Sequence, residues 1–332
     1  MKDKTVIITF ASTITLLSFC LWAFILPNHL MCQESVQLFC FDSAYLWEMY
    51  AVPGGFASLI SGFLIQFFLY PFAGAAIISA LTLLMFLSVR KACGCSAVMA
   101  LIPSVLMNTL LTSVNFTLAA PIAVLMCLWS WIYMKGRACG TAVHCILATA
   151  LYFLAGPAVV LYPVMLILKG NARSGFAGLA AVVAAAALSA LIYCHQQWWL
   201  FFTGPDYGHS RKQFSLWPMS LAFSIIVITM AGAVKCRRQW LITTLCCCLG
   251  FLAAWKLTDR NSLDLERIYA YDQAARNGKW DTILSLASKH TPDNIPSLVC
   301  YNLALAKTKR LGDMLFSVRQ NGPEGLFPSY ES

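Results

Sequence analysis

Residues 51–89 read AVPGGFASLISGFLIQFFLYPFAGAAIISALTLLMFLSV and contain no charged residue. This run is longer than the roughly 20 residues that an α-helix needs to cross a bilayer. Pro71 interrupts it, and Gly54 and Gly55 lie near its start. The run therefore predicts membrane-embedded helices, either as two crossings or as one crossing that follows an interfacial or re-entrant helix.

The composition of the 332-residue chain agrees with a membrane protein, because 59% of its residues are hydrophobic and 11% are charged. Residues 1–256 carry 14 Lys and Arg against 5 Asp and Glu, whereas residues 257–332 carry nine of each. Short basic loops between membrane spans produce such an excess. The charge therefore indicates a lipid bilayer and not a nucleic acid as the partner. We expect an all-α fold, with a polytopic bundle of about 8–10 membrane segments over 1–256 and a soluble tail over 257–332.

Basic clusters divide the membrane part into helical hairpins. These clusters are Arg90-Lys91, Lys135/Arg137, Lys169/Arg173 and Lys235/Arg237/Arg238. Each interval has room for two spans, and the predicted pairs are 96–113 with 116–134, 140–155 with 157–168, and 176–194 with 218–235. The second pair turns at Gly156-Pro157. A first span ends near Pro27, and a last span covers 239–256.

All four clusters then lie on one side of the membrane, which the positive-inside rule assigns to the cytoplasm. One crossing within 51–89 places the basic N-terminus inside and the loop 28–50 outside, and two crossings reverse both. We favour one crossing, since the Tyr and Trp residues before Gly54 suit an interfacial helix. The tail then emerges outside, in the periplasm if the membrane is a bacterial inner membrane.

Acidic residues are rare before residue 256, and three of the five lie in the first outer loop, 28–50. They are Glu34, Asp42 and Glu48, and they alternate with Phe, Tyr and Trp side chains. Carboxylates act as general bases or bind divalent cations. We choose Asp42 as a candidate base with Glu34 or Glu48 as helper, although a solvated loop with interfacial aromatic anchors fits the same pattern.

The second outer loop, 195–217, supplies the candidate phosphate ligands Arg211, Lys212 and His209, beside Asp206. Together the two loops suit an anionic, lipid-linked substrate. No cofactor is evident, although an enzyme of this kind can use a divalent cation. Gln66 and His144 are polar residues inside the predicted membrane spans, and we expect them to bond to neighbouring helices. The predicted spans contain no Asp, Glu, Lys or Arg at mid-depth, which argues against an ion-coupled carrier.

The cysteines give two weaker signals. Cys32 and Cys40 lie in the first outer loop, where they form either a disulfide or two free thiols. The pair Cys93 and Cys95 has no second pair at the spacing of a zinc site.

The tail predicts four helices at about 263–276, 279–289, 297–309 and 311–319. Gly278 and Gly312 are 34 residues apart, which is the period of tetratricopeptide repeats. Fewer than two such repeats are present, so we expect the tail to pack on the membrane part, on a protein partner, or on further chain that is missing from this sequence.

Several strings resemble an uncharacterised family of Bacteroidota inner-membrane proteins. They are Gly54-Gly55, Phe63-Leu64-Ile65-Gln66-Phe67-Phe68, Pro71, Gly74, and the tail strings ARNGKWDTILSLA, NLALAKTKRLGDMLF and NGPEGLFP. The resemblance implies membrane spans followed by helical repeats, of which this chain is a shortened example. It implies no activity.

The layout is also similar to that of multi-span glycosyltransferases that use lipid-linked sugars, which carry an acidic first outer loop. Layout is an analogy and shows no activity. Three functions therefore remain open: a glycosyltransferase-like enzyme, a membrane scaffold that presents the tail to an envelope-assembly partner, and a flippase without ion coupling.

Overall fold

The computed structural model describes residues 2–37, 39–113, 116–137, 139–192, 217–233, 262–320 and 322. Within these ranges every regular element is helical and no strand occurs, as expected. The chain divides into two compact units. The first consists of Met1–Ile25 and Gln33–Asp259, and the second of Leu26–Cys32 and Arg260–Ser332.

The helices before the tail follow the apolar runs. They are α1 (Lys2–Cys20, continued by a π-helical turn Leu21–Ile25), α2 (Pro27–Val36), α3 (Ser43–Ala51), α4 (Gly55–Ile65, continued by a 3-10 turn Gln66–Leu69), α5 (Pro71–Cys93), α6 (Ala97–Leu111), α7 (Ala119–Met134), α8 (Thr141–Ala155, then a 3-10 turn Gly156–Val160), α9 (Leu161–Leu168), α10 (Ala172–Ile192) and α11 (Trp217–Ala233). The predicted span 239–256 lies outside the described residues.

Four helical stretches are long and apolar enough to cross a membrane by length and composition. They are Lys4–Ile25, Pro71–Cys93, Thr141–Leu168 and Ala172–Leu191. Shorter apolar helices cover Gly55–Leu69, Ala97–Leu111, Ala119–Met134 and Met219–Ala231. The first unit is therefore compatible with a membrane-embedded helical bundle.

Three basic clusters lie at one end of this bundle, here called the basic end. Lys169 Nζ donates a hydrogen bond to the carbonyl of Cys93, at the end of α5, over 3.4 Å. Trp131 Nε1, near the end of α7, donates to the carbonyl of Ala92 over 3.4 Å. The clusters Arg90-Lys91, Lys135/Arg137 and Lys169/Arg173 thus meet, while Lys235/Arg237/Arg238 lies outside the described residues.

Helix α1 runs antiparallel to α5. Phe24, at its end, contacts Phe72, at the start of α5, with ring centroids 5.9 Å apart. Ser18 and Thr82, further along both helices, are joined by a 3.3 Å hydrogen bond. The first residues of α1 therefore lie at the basic end, and its last residues lie at the end opposite.

Helices α3 and α4 form an antiparallel hairpin at this opposite end. Phe41, before α3, packs against Phe63 on α4 with ring centroids 6.1 Å apart. At the hairpin tip a Cβ on Gly55 would overlap the carbonyl oxygen of Met49, so only glycine fits. With 9 and 11 residues, the two arms are only about 14 and 17 Å long. Of the helices that include residues of 51–89, only Pro71–Cys93 is long and apolar enough to cross a membrane, and the number of crossings stays a prediction.

The chain reverses at Gly156, as predicted for the turn between 140–155 and 157–168. Gly156 has φ +68°, and His144, at the start of α8, bonds through Nδ1 to the hydroxyl of Tyr162 on α9 over 2.7 Å. A continuous helix would separate these two residues by about 27 Å. Thr141–Leu168 meets the length requirement for a span only because it includes both arms of this hairpin.

The tail contains α12 (Ser262–Arg276), α13 (Trp280–Lys289), α14 (Ile295–Lys307) and α15 (Leu311–Met314, continued by a 3-10 turn Leu315–Ser317). These bounds agree closely with the predicted helices. A small buried core holds them together, with Tyr271, Ile283, Tyr301 and Leu305 among its members. Apolar burial is therefore the main stabilising contribution in the tail.

Within this second unit, Glu266 of α12 binds the first turn of α2. Its carboxylate accepts hydrogen bonds of 2.8 Å from the backbone N–H groups of Asn28 and His29 and from Asn28 Nδ2. An acidic group at a helix N-terminus satisfies N–H groups that have no partner within the helix. Burial raises the pKa of Glu266, and the hydrogen bonds from Asn28 and His29 oppose that rise.

Two equivalent turns repeat in the tail, but with a period that differs from the predicted 34 residues. At Gly278 (φ +65°) the next amide, Lys279, donates to the carbonyl of Ala274. At Lys309 (φ +60°) the next amide, Arg310, donates to the carbonyl of Leu305. Both turns have the Schellman pattern of helix termination, and they are 31 residues apart. Gly312 lies inside α15, so it is not the structural equivalent of Gly278.

Candidate functional site

The three candidate carboxylates occupy different positions on short helices. Glu34 lies near the end of α2 and is half-buried, whereas Glu48 on α3 and Asp42 before α3 are exposed. Within the described part of the chain, no hydrogen bond or ion pair joins these three carboxylates. Arg211, Lys212 and His209, the predicted phosphate ligands, lie outside it together with Asp206.

Asp42 stands at the N-cap position of α3. Its backbone is extended, with φ −91° and ψ 139°, and its carbonyl accepts the first helical hydrogen bond from Leu46 over 3.0 Å. An N-cap aspartate commonly uses its side chain to accept from the helix N–H groups. Here the side chain makes no cap hydrogen bond, so the Asp42 carboxylate remains exposed to a ligand.

An aromatic cluster adjoins Asp42. Phe39 packs edge-on against Phe41 and Tyr45, with ring centroids 5.0 and 5.8 Å away, and Phe63 of α4 contacts both phenylalanines. Gln66 Nε2 donates to the carbonyl of Phe39 over 3.2 Å; the predicted partner on a neighbouring helix is therefore wrong, because Phe39 lies in the non-helical segment before α3. The carboxylate therefore borders an apolar surface at the end of the bundle opposite the basic end.

Tyr45 adds a protonated hydroxyl to this surface. Burial raises the pKa of Tyr45 above its ordinary value. The phenol is therefore a hydrogen-bond donor across the physiological pH range, close to the Asp42 carboxylate in sequence.

The tips of the two hairpins touch each other inside the bundle. The amide of Gly54 donates to the carbonyl of Phe153 over 2.8 Å. A Cβ on Gly156 would lie 3.3 Å from the Cα of Gly54, which has φ +81°. Irregular backbone at membrane depth is stable only where protein or water covers it. The two tips provide this cover for each other, and this contact fixes the hairpin that follows Asp42.

A buried polar network around Asn108 holds α1, α5 and α6 together. Asn108 Oδ1 accepts from Ser18 Oγ over 2.7 Å and from Trp22 Nε1 over 3.0 Å. Asn108 Nδ2 donates to Thr82 Oγ1 over 3.0 Å and to the carbonyl of Ser104 over 2.9 Å. All four hydrogen-bonding positions of the amide are used, so the network is structural and holds no open ligand position.

His144 was predicted from the sequence to bond to a neighbouring helix, whereas Asn108 was not predicted to have a role. The sequence feature that indicates the role of Asn108 is its spacing of four residues from Ser104, because this spacing places two polar side chains on one face of α6. His144 bonds to Tyr162 of a neighbouring helical segment, as expected.

The described side chains show neither the disulfide considered for the first outer loop nor a metal site. Cys32 and Cys40 are not joined by a disulfide in this structure, and burial raises the pKa of Cys32. Within the described residues, no group of three His, Cys, Asp or Glu side chains is placed to hold a metal ion.

The chain belongs to the family of unknown function DUF6057, whose model matches residues 3–332. The match covers both the membrane part and the tail. No curated protein and no solved structure matches the chain significantly.

Proposed function

We propose that this protein is a glycosyltransferase-like enzyme of the bacterial inner membrane that uses a polyprenyl-phosphate-linked sugar at the outer face. The observation that carries the proposal is the position of Asp42. Its carboxylate is exposed, is not used to cap α3, and borders the aromatic cluster Phe39, Phe41, Tyr45 and Phe63.

Apolar rings beside a carboxylate suit a substrate with both an isoprenoid chain and a sugar. The aromatic cluster offers the apolar surface on which the chain and the faces of the sugar pack. Asp42 offers the acceptor for a proton, and Glu34 or Glu48 assists it. The separation of charge in the first unit supports an outer position for this loop, because the described basic clusters gather at the other end.

In the proposed reaction, Asp42 removes the proton of an acceptor hydroxyl while the hydroxyl oxygen forms a bond to the anomeric carbon. The bond between that carbon and the phosphate oxygen breaks, and polyprenyl phosphate leaves with the electron pair. Arg211, Lys212 and His209 are proposed to hold the phosphate. A divalent cation between the carboxylates and the phosphate is compatible with this chemistry.

The test replaces Asp42 by Asn in the full chain. Purified protein is incubated with a polyprenyl-phosphate-linked radioactive hexose and an envelope extract as the acceptor source, and release of polyprenyl phosphate is measured. Loss of a general base lowers the rate by about 10²–10⁴-fold, so Asp42→Asn should show a loss in this range.

The matched control is Asp281→Asn, which removes an exposed tail carboxylate and should leave the rate unchanged. Full activity of the Asp42→Asn protein would remove Asp42 from the mechanism. Absence of any release by the unaltered protein would remove the enzyme proposal itself.

The second candidate is a membrane scaffold whose tetratricopeptide-like tail binds an envelope-assembly partner. It is favoured by apolar side chains that stay exposed in the tail: Phe316 is 86% exposed, Leu303 42% and Met314 39%. Large exposed apolar groups commonly mark a protein-binding surface.

This candidate is tested by a photo-crosslinking amino acid in place of Phe316 in the full chain, with the same substitution at Asp281 as control. Irradiation of living cells should give one discrete crosslinked product from the first position and none from the second. Equal or absent crosslinking at both positions contradicts the scaffold.

A further inference from the structure

The basic end gathers cations without carboxylate partners. Within the described side chains of the first unit, the carboxylates are Glu34, Asp42 and Glu48, all in the loop at the opposite end. The cations are Lys4, Arg90, Lys91, Lys135, Arg137, Lys169 and Arg173. No ion pair is therefore available to neutralise this surface from the described part of the unit.

Arg90 is the most informative of these cations. Its Nε is buried and has no hydrogen-bond partner among the described residues. Buried polar atoms nearly always have a partner, so an orphaned guanidinium N–H calls for an explanation. A bound anion supplies one, because guanidinium groups bind phosphate through paired N–H donors.

The helix that carries Arg90 does not use this side chain. At the end of α5, the Arg90 carbonyl accepts from the Gly94 amide over 2.9 Å. The Ala92 carbonyl accepts from Trp131, and the Cys93 carbonyl accepts from Lys169. The last carbonyls of the helix are thus satisfied by other donors, and the guanidinium is left for an external acceptor.

Other cations converge on the turn that follows. Lys169 Nζ lies 3.4 Å from the Cys93 carbonyl. Lys135 follows Trp131 by one helical turn, and the Trp131 indole donates to the Ala92 carbonyl. Basic residues from α5, from the end of α7 and from the end of α9 therefore come together at the end of α5.

Exposed aromatic side chains place this turn at the level of lipid head groups. Trp129 is 50% exposed and Tyr133 is 59% exposed. Lys91 lies 5.8 Å from the ring centre of Trp129, and Arg137 stacks 3.6 Å from that of Tyr133. Trp and Tyr at the surface of a membrane helix favour the boundary between hydrocarbon and water, where phospholipid phosphates lie.

We propose that Arg90, Lys135 and Lys169 form, around the turn Cys93–Ser96, a binding site for the phosphate group of an anionic phospholipid. Basic pockets between membrane helices bind such head groups. This site is separate from the proposed sugar transfer, because it lies at the other end of the first unit from Asp42.

The test measures lipid binding to the full chain in neutral detergent by native mass spectrometry. Phosphatidylglycerol and phosphatidylcholine of the same acyl chains are titrated separately. Both lipids carry a phosphodiester, but the choline of phosphatidylcholine cancels its charge, so phosphatidylglycerol should bind to the three cations at least about tenfold more tightly than phosphatidylcholine. Arg90→Gln should remove this preference.

Arg137→Gln is the matched control, since it removes a cation of the same end that stacks on Tyr133, and the preference should persist. Arg90→Lys keeps the charge and loses the paired donors, so it should bind phosphatidylglycerol with intermediate affinity. This variant replaces Arg90→Gln in the test if the glutamine variant does not fold. Equal binding of both lipids, an unchanged preference in a folded Arg90→Gln protein, or full displacement of the lipid by millimolar inorganic phosphate would each overturn the proposal.

Discussion

Asn108 illustrates how one amide side chain orders helices that are otherwise held by apolar contacts. In a bilayer the surroundings of a helix are as apolar as its partners, so hydrogen bonds and close packing decide which helices associate. Asn108 is 8% exposed, and its partners Ser18, Trp22 and Thr82 are more deeply buried. The amide therefore fixes both the register and the rotation of α1 and α5 against α6.

Replacing Asn108 by Leu keeps the volume and removes four hydrogen bonds. We expect the free energy of unfolding to fall by about 2 kcal/mol, because Trp22 Nε1 and the two hydroxyl groups lose their shared partner. Thermal unfolding in detergent, followed by tryptophan fluorescence, measures this loss. Thr109→Val is the control, since that hydroxyl bonds only to Val105 of its own helix, and a loss equal in both variants would show that the network has no special role.

At the scale of the residue, the sequence identified Asp42 and placed it in a loop with aromatic neighbours. It could not show that the Asp42 carboxylate leaves the helix cap unused, because either side-chain rotamer is compatible with the same N-cap sequence. It also could not show the orphaned Nε of Arg90, since this depends on which other donors reach the end of α5.

Helical hairpins whose individual arms are shorter than the roughly 20 residues of a membrane span are the distinctive elements of the first unit. Both hairpins end in glycine at positive φ, where residues with a side chain are strained. Their tips meet through Gly54 and Gly156. A change at one tip should therefore affect the hairpin that carries Asp42.

Gly156→Ala tests this contact. Gly156 has φ +68° and ψ −154°, a backbone region that is essentially restricted to glycine and costs another residue about 1–3 kcal/mol, and the new methyl group would press on the Gly54 Cα. We expect a loss of about 2 kcal/mol or more in unfolding free energy, measured by thermal unfolding in detergent, and increased protease cleavage within residues 39–54.

The control is Gly140→Ala, because Gly140 has φ −69° and open space around its Cα. Its unfolding should be unchanged within about 0.5 kcal/mol. Equal stability of the two alanine variants would contradict the tip contact.

Element boundaries were predictable where glycine, proline or charge interrupts an apolar run. The turn at Gly156-Pro157 and the tail helices are examples. The 34-residue spacing of Gly278 and Gly312 was misleading, because the second turn uses Lys309 at positive φ. Glycine is the usual residue at that position and is not obligatory, so glycine spacing alone gave the wrong period.

The first unit as a whole separates charge along its length. Basic side chains gather at one end, and Glu34, Asp42 and Glu48 lie in the loop at the other. The structure shows that these two groups of charged side chains lie at opposite ends of the first unit. Which end faces the cytoplasm is our prediction from the positive-inside rule.

A short epitope inserted after Gly136 or after Phe41 tests this orientation. Antibody should bind the second epitope in intact spheroplasts and the first only after permeabilisation. An epitope at the N-terminus should behave like that after Gly136, since α1 begins at the basic end. Exposure of the first two epitopes on the same side would contradict the predicted topology and, with it, the outer location of Asp42.

The sequence by itself determined the helical class, the membrane-compatible helices, the tail helices and the position of the carboxylates along the chain. These follow from local properties, because hydropathy, charge and turn residues act within a few neighbours. Only the tertiary structure decided that 51–89 contains a short hairpin arm and one long helix, that Gly54 meets Gly156, and that Asn108 joins three helices. These contacts link residues tens of positions apart, and packing and hydrogen bonding in three dimensions select them from many alternatives that the same apolar sequence permits.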